Sequence, residues 1–305
     1  MGTAPAADGP LALLGPTGAG KSSLALEIAR LRRAAGAPTE IVAVDAFTVY
    51  RGMDIGTAKP SPAERAEVPH HLVDVLDPDQ QMTVAEFQQA ARGVIATLFD
   101  RGVTPLLVGG SGLYWRAVVD DLAFPPTDPA VRRRLQARHE HDPHGAHAVL
   151  EDLDPAAAER IGPQNVRRTI RALEVIELTG RTFSSYARAW DDFTPRYPGL
   201  RVAYLEPPTE VLRARIRRRA EAMLADGLLE EAARLRAATT LSRTAAQAIG
   251  YAEAFAVLDG EAPEDGLAER IAARTWRYAR RQRSWFRADP RCGPCEPDHL
   301  RVAWG

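Results

Sequence analysis

The stretch Gly15-Pro16-Thr17-Gly18-Ala19-Gly20-Lys21-Ser22 decides the fold. It fits G-x-x-x-x-G-K-[ST], the phosphate-binding loop, and its flanks fit too. Leu11-Ala12-Leu13-Leu14 before it is a short apolar run suited to a buried parallel strand. Leu24, Ile28 and Leu31 after it recur at helical spacing until Gly36 and Pro38 stop the pattern. Strand, glycine loop and helix in that order bring backbone N–H groups and a helix N-terminus onto one phosphate. Lys21 is then expected to reach the terminal phosphate as a point charge, and the Ser22 hydroxyl to ligate Mg2+. The chain has 39 basic residues, and only Lys21 and Lys59 among them are lysines. A composition that otherwise writes Arg keeps a compact ammonium at the loop.

Outward from the loop, Ile41-Val42-Ala43-Val44 reads as a second strand, ending in Asp45. A carboxylate there sits at the edge where open α/β sheets bind ligands. Leu72-Val73-Asp74-Val75 is expected to be a short strand, with the His70-His71 pair beside it structural. Thr83 to Arg101 is an amphipathic helix turning Val84, Phe87, Ala91, Val94, Ile95 and Leu98 inward. Leu106-Leu107-Val108 is another buried strand, and it runs into Gly109-Gly110-Ser111-Gly112. Glycines at a strand's carboxyl end allow close backbone approach, and Ser111 offers a hydroxyl to the same crevice. The expected class is α/β: a P-loop-containing, doubly wound parallel sheet with an all-helical insertion domain and a helical C-terminal region.

At 305 residues and 45% hydrophobic content the chain can bury a proper core. Residues 1–10 read as a disordered tail of Ala, Gly and Pro. The core's first part spans 11–124, the insertion 125–199, the second part 200–290, and a tail 291–305. The insertion carries helix starts at Asp128-Pro129 and Asp154-Pro155 and a longer helix over Val166–Leu178. Its histidine-rich segment His139–His147 reads as a solvated loop between helices rather than a metal site. No 18-residue apolar run occurs, and no charged n-region precedes an apolar stretch at the start. A soluble cytoplasmic protein is expected, and two cysteines, Cys292 and Cys295, agree with a reducing compartment. The Cys-Gly-Pro-Cys tetrapeptide has no strand before it and no helical pattern after it, so it reads as tail.

Charge is uneven along the chain. Residues 1–125 hold 10 basic and 14 acidic groups, whereas residues 201–291 hold 17 basic and 13 acidic. Arg213, Arg215, Arg217, Arg218 and Arg219 crowd a helix over Pro207–Ala225. A final helix over Pro263–Arg287 puts Arg270, Arg274, Arg277 and Arg281 on one face, with Trp276, Tyr278, Trp285 and Phe286 interleaved. Arginine beside aromatics, with few local acids, is the footprint of a nucleic-acid surface.

From residue 11 to about 290 the chain resembles the bacterial tRNA dimethylallyltransferases. The resemblance rests on the phosphate loop, on Asp45 with Val49-Tyr50-Arg51-Gly52-Met53-Asp54-Ile55-Gly56-Thr57-Ala58-Lys59-Pro60, and on Pro69-His70-His71-Leu72. It continues through Leu107-Val108-Gly109-Gly110, Arg171-Ala172-Leu173-Glu174-Val175, Ala248-Ile249-Gly250-Tyr251 and Arg280-Arg281-Gln282-Arg283-Ser284-Trp285-Phe286-Arg287. It implies transfer of a dimethylallyl group from dimethylallyl diphosphate to N6 of the adenosine 3′-adjacent to a tRNA anticodon. The loop then holds an allylic diphosphate rather than ATP. Asp45, as general base, Ser111 and Lys21 are the implied catalytic residues. Gly15, Pro16, Thr17, Gly18, Ala19, Gly20, Lys21, Ser22 and Arg219 are the implied diphosphate contacts, with Mg2+ on Ser22. Implied tRNA contacts are Asp45, Ala46, Phe47, Thr48, Ser111, Arg132, Arg167, Arg168, Arg171, Gln247, Gly250 and Tyr251. Arg280, Arg281, Gln282, Arg283, Trp285 and Arg287 complete them. The insertion is expected to grip the anticodon stem-loop, a mode that needs only a monomer.

The chain departs from the family at Ala46, where Ser is usual, at Ser111, where Thr is usual, and at Thr48, commonly Gln or Leu. Ser111 keeps the hydroxyl; Ala46 loses a polar contact. A small-molecule kinase of the P-loop type is the competing expectation, since the first 120 or so residues permit it. A non-catalytic RNA-binding P-loop protein leaves unexplained an acid opposite the loop.

Overall fold

The computed structural model describes residues 9–187 and 190–305. The tail expected over residues 1–10 lies outside the described residues up to residue 8. Gly9 and Pro10 are buried, and Pro10 O accepts from Arg201 N at 3.1 Å. Two compact units divide the chain: one runs to Val119 and resumes at Pro195, and the other is Asp120–Thr194. The latter stands against the 125–199 drawn from sequence.

The first unit opens with β1 (Leu11–Leu14), α1 (Lys21–Ala34), β2 (Thr39–Val44), α2 (Pro62–Glu67) and β3 (His70–His71). α3 (Val84–Asp100), β4 (Thr104–Gly109) and α4 (Gly112–Val119) follow. The second unit holds α5 (Pro129–Arg138), α6 (Pro143–Leu153), α7 (Pro155–Ile161) and α8 (Val166–Thr179). The first unit resumes with β5 (Arg201–Tyr204), α9 (Thr209–Ala225), α10 (Leu228–Ala238) and α11 (Arg243–Ala246). It ends with α12 (Tyr251–Leu258), α13 (Leu267–Arg287) and α14 (Pro297–Trp304).

The five strands form one parallel sheet in the order β3-β2-β4-β1-β5. Successive β1 residues alternate between its faces. Ala12 and Leu14 join the cluster of Val42, Val44, Leu107, Phe87 and Ile95, while Leu11 and Leu13 join that of Leu24, Ile28, Ile41 and Leu106. Helices cover both faces, so strand residues on either side are apolar, as a parallel sheet requires. Each fully buried leucine here stabilises the fold by roughly 1.5–3 kcal/mol. α3 begins with a reciprocal cap: Glu86 N donates to Thr83 Oγ1 at 3.2 Å and Thr83 N to Glu86 Oε2 at 2.6 Å.

Two expectations are corrected in this unit. The short strand is His70–His71, paired with Ile41 and Val42, not residues 72–75. Leu72 and Asp74 take left-handed φ of 62° and 56°, and the carboxylate of Asp74 is held at 2.5 Å by both Lys59 Nζ and Arg65 Nη1. That tie comes from residues distant in sequence and breaks the extended run. The C-terminal residues are not a tail either. Cys295 N donates to Tyr204 O at 2.9 Å, and α14 then packs on α1 through Leu300 and Trp304. Arg301 Nε meets Glu27 at 2.7 Å and Arg32 Nη1 donates to Trp304 O at 3.2 Å.

In the second unit each Asp-Pro pair starts a helix. Oδ1 accepts from Ala130 N for Asp128, from Gly145 N for Asp142 and from Ala157 N for Asp154. The histidine-rich segment is therefore not a loop throughout. His139 ends α5, while His144 and His147 lie on α6, His147 Nε2 bonding Ala158 O at 3.1 Å. Leu135, Leu150, Ile170 and Leu173 form the unit's core. Among the described residues no helix is long and apolar enough to cross a membrane.

Candidate functional site

The register of the sheet sets the site. Leu14 and Val44 both stand level with Gly109, so Gly15, Gly110 and Asp45 leave three neighbouring strands at one edge. The phosphate loop turns there through Gly18 and Gly20, at φ of 80° and 94°, and delivers Lys21 and Ser22 to the first turn of α1. Lys21 Nζ donates to Gly15 O at 2.8 Å and Pro16 O at 2.9 Å. Burial brings its ammonium down to about 8, against the opposing pull of Asp45 and with a smaller push from Arg219. Arg219, on α9, donates to Thr17 Oγ1 at 3.2 Å. Oδ1 of Asp45 accepts from Phe47 N at 2.8 Å and Thr48 N at 3.3 Å, which fixes the carboxylate at the end of β2.

These groups line a cavity of about 720 Å3, with Lys21, Ser22, Asp45 and Arg219 in its wall. Tyr114 stands near Asp45, its phenol pushed up to about 12 by burial first and then by Asp45 and Tyr50. Burial and Asp45 raise Tyr278, on α13, in the same way. Both remain neutral donors near the carboxylate. The Ser22 hydroxyl has no protein partner among the described residues and lines the cavity, a hard oxygen donor that suits Mg2+.

Of the other expected site residues, Phe47 and Thr48 line the cavity, and Thr48 Oγ1 is buried without a partner among the described residues. Ala46 and Ser111 are half-buried beside it. Several expected tRNA contacts are instead internal braces. Tyr251 is 0% exposed, its hydroxyl donating to Glu231 and accepting from Gly56 N at 3.2 Å. Gly250 is buried, and Gln282 is 4% exposed with both ends of its amide bonded internally. Arg283 and Arg287 meet Glu206 at 2.7 Å; Arg283 is largely buried there, whereas Arg287 stays exposed. In the second unit Arg132 grips the buried Glu174 at 2.8 Å, and Arg171 reaches Glu174 at 3.0 Å and Pro125 O and Pro126 O at 2.8 Å. Arg167, Arg168, Gln247, Arg280, Arg281, Trp285 and Arg287 are exposed.

Sequence reading missed two parts of the wall. The strap Asp54–Pro60 lines the cavity and is held by Glu231, which accepts from Asp54 N at 3.1 Å and Ile55 N at 3.0 Å, and by the buried Lys59. The second lysine in an arginine-rich chain signals it, its compact head fitting between Asp54 and Asp74. Arg215 lies one helical turn before Arg219, donates to Ala19 O at 3.2 Å and also lines the cavity. Spacing of four identifies it.

Known proteins resemble most of the chain. A family model described as IPP transferase matches residues 48–289. The tRNA dimethylallyltransferase of Kineococcus radiotolerans is 50% identical over 284 residues, covering 92% of this chain and 88% of that protein. That of Bifidobacterium longum is 48% identical over 288 residues, covering 92% and 84%. Among solved structures, the full-length tRNA isopentenylpyrophosphate transferase from Bacillus halodurans is 34% identical with a TM-score of 0.68, over 97% of this chain and 94% of that one. A eukaryotic dimethylallyltransferase acting on tRNA aligns at a TM-score of 0.76 and 25% identity, over 91% of this chain and 69% of that one. By the family match and these identities, the chain belongs to the IPP transferase family.

Proposed function

We propose that this chain transfers a dimethylallyl group from dimethylallyl diphosphate to N6 of the adenosine 3′-adjacent to the anticodon in tRNA. The observation that carries the reading is one cavity shared by the Asp45 carboxylate and the cations Lys21 and Arg219. Ile249, Ile271 and Met223 give that cavity an apolar wall, which suits a branched allylic chain and which a phosphoryl acceptor does not require.

The chemistry needs charge neutralised on the departing diphosphate and a proton removed from the incoming amine. Lys21 has three N–H donors; Gly15 O and Pro16 O take two, which leaves one for phosphate. Arg219 and the amides of the loop add to the same neutralisation, which grows as the allylic C–O bond breaks. Ser22 would hold Mg2+, which would supply further charge neutralisation on the diphosphate. As the new C–N bond forms, the adenine amine loses a proton to Asp45. The adenine must leave its stack to reach an acid at the end of a central strand.

Labelled dimethylallyl diphosphate and labelled ATP, each given with bulk tRNA, test this. Transfer of the allyl label to tRNA is expected. Phosphoryl transfer from ATP, with no allyl label on RNA, makes the chain a kinase.

A further inference from the structure

Gln282 of α13 reaches the phosphate loop and the turn after β4 at the same time. Its Oε1 accepts from Thr17 N at 2.9 Å, and its Nε2 donates to Gly110 O at 2.7 Å. Thr17 N offers only a donor and Gly110 O only an acceptor, so one direction of the amide satisfies both. The turn leaves room for it. A Cβ on Gly110 would lie 2.4 Å from Gln282 Nε2, and one on Gly112 2.6 Å from the Trp285 ring. Two side chains three apart on α13 thus seat against the residues before and after Ser111. Thr17 is committed at both of its polar groups, its N–H to Gln282 and its Oγ1 to Arg219.

We propose that Gln282 is a positioning residue for the transfer, setting the distance between the diphosphate-holding loop and the Ser111 turn through this one amide. The assignment rests on the proposed function and deepens it. With 4% exposure and both amide ends bonded within the protein, Gln282 acts on the reaction through other residues, not by touching RNA. Loss of the amide leaves the buried Gly110 carbonyl and the half-buried Thr17 N–H without their partner. The loop then relaxes, carrying Arg219 with it. A transfer that demands two reacting atoms in near-attack contact loses rate steeply for such a shift, while binding of the long RNA is spread over many other contacts.

Gln282→Met keeps length and removes both hydrogen bonds; Gln282→Glu keeps the acceptor for Thr17 and loses the donor for Gly110. On the full-length protein, four quantities are measured: single-turnover rate with both substrates saturating, tRNA Kd, affinity for inorganic diphosphate with Mg2+ by calorimetry, and melting temperature. The Met variant is expected to lose about 10²-fold in the saturated rate, on the scale of a misplaced reacting group. Its diphosphate affinity should fall several-fold, with tRNA Kd within twofold of the parent. The Glu variant, which carries the same test should the Met variant not fold, is expected to be slow too, because the Gly110 bond is gone. An unchanged saturated rate in a folded variant overturns the assignment, as does a tRNA Kd that rises in step with the lost rate. A parent enzyme that transfers no dimethylallyl group sinks the proposed function instead, and diphosphate affinity still judges Gln282 by itself.

Discussion

The phosphate loop and helix α13 are both basic, and they use their charge in opposite ways. At the loop the cations are few, and Lys21, Arg215 and Arg219 all line one cavity. On α13 they are many, and Arg270, Arg274, Arg283 and Arg287 are tied to partners within the protein. Arg274 meets Glu253 at 2.8 Å, Arg283 and Arg287 share Glu206, and Arg270 bonds Asp265 O at 2.8 Å and Pro263 O. Burial of Glu206 opposes its charge, and the two arginines outweigh that and hold its carboxyl below the usual range. Arg277, Arg280 and Arg281 remain exposed with no acidic partner among the described residues. Helical spacing tells which arginines share a face. It does not tell which acids other elements bring to that face: Glu206 follows β5, and Glu253 lies on α12.

The sharpest break between the two regions is at Asp45. Asp45→Asn keeps shape and the hydrogen bonds from Phe47 N and Thr48 N, so both substrates should bind nearly as before. Turnover should fall by ~10²–10⁴-fold, the usual worth of a general base. Loss of Mg2+-dependent diphosphate binding with tRNA affinity intact makes Asp45 a metal-site residue instead of the base.

Next in size is the pH response of the loop. In the ligand-free protein Lys21 gives up its proton near 8 instead of 10.5. Above that pH, binding an anion requires a proton to be taken up, so diphosphate affinity should fall by up to tenfold per pH unit until the unperturbed value is approached. Lys21→Arg stays charged and should flatten this limb. Calorimetric titrations at several alkaline pH values check it; a parallel slope in the Arg variant assigns the titration to another group.

How much was legible in the sequence follows the same division. The β1–loop–α1 unit, Asp45 and α3 are written locally, in glycines and apolar periodicity, and they appear where those signals point. The strap Asp54–Pro60, the turn at Leu72–Asp74 and the paired arginines depend on Lys59, Glu231 and Glu206, partners that only the fold brings near. α14 is short, with one buried pair, Leu300 and Trp304, too little periodicity to read without the α1 surface that receives it.

A smaller effect separates the exposed arginines of α13 from the paired ones. Replacing Arg277, Arg280 and Arg281 together with Ala should flatten the salt dependence of tRNA binding by roughly one charge each. Arg274→Ala should leave that slope nearly unchanged and lower the melting temperature, because it strips Glu253 of its partner. Equal slopes for parent and triple variant would make the exposed trio a solvated face only.

The smallest effect lies just beyond α13, where the chain leaves the arginine helix and rejoins the sheet. Cys292 is 7% exposed in the core cluster that includes Tyr204 and Phe286, whereas Cys295 is half-buried and packs against the cluster on the other face. Burial pushes the Cys292 thiol up to about 12, followed by the charge of Asp289, so it stays protonated and unreactive at neutral pH. Cys292→Ser puts a hydroxyl where the thiol packed. With no hydrogen-bond partner at Sγ among the described residues, it should cost about 1–3 kcal/mol, seen as a fall of a few degrees in melting temperature. Cys295→Ser should melt with the parent. Turnover should be unaltered in both, since neither thiol lines the cavity. Equal melting of the two variants would mean that this segment is held by its backbone tie to Tyr204 and by α14 alone. A lost turnover in either would bring the pair into the chemistry.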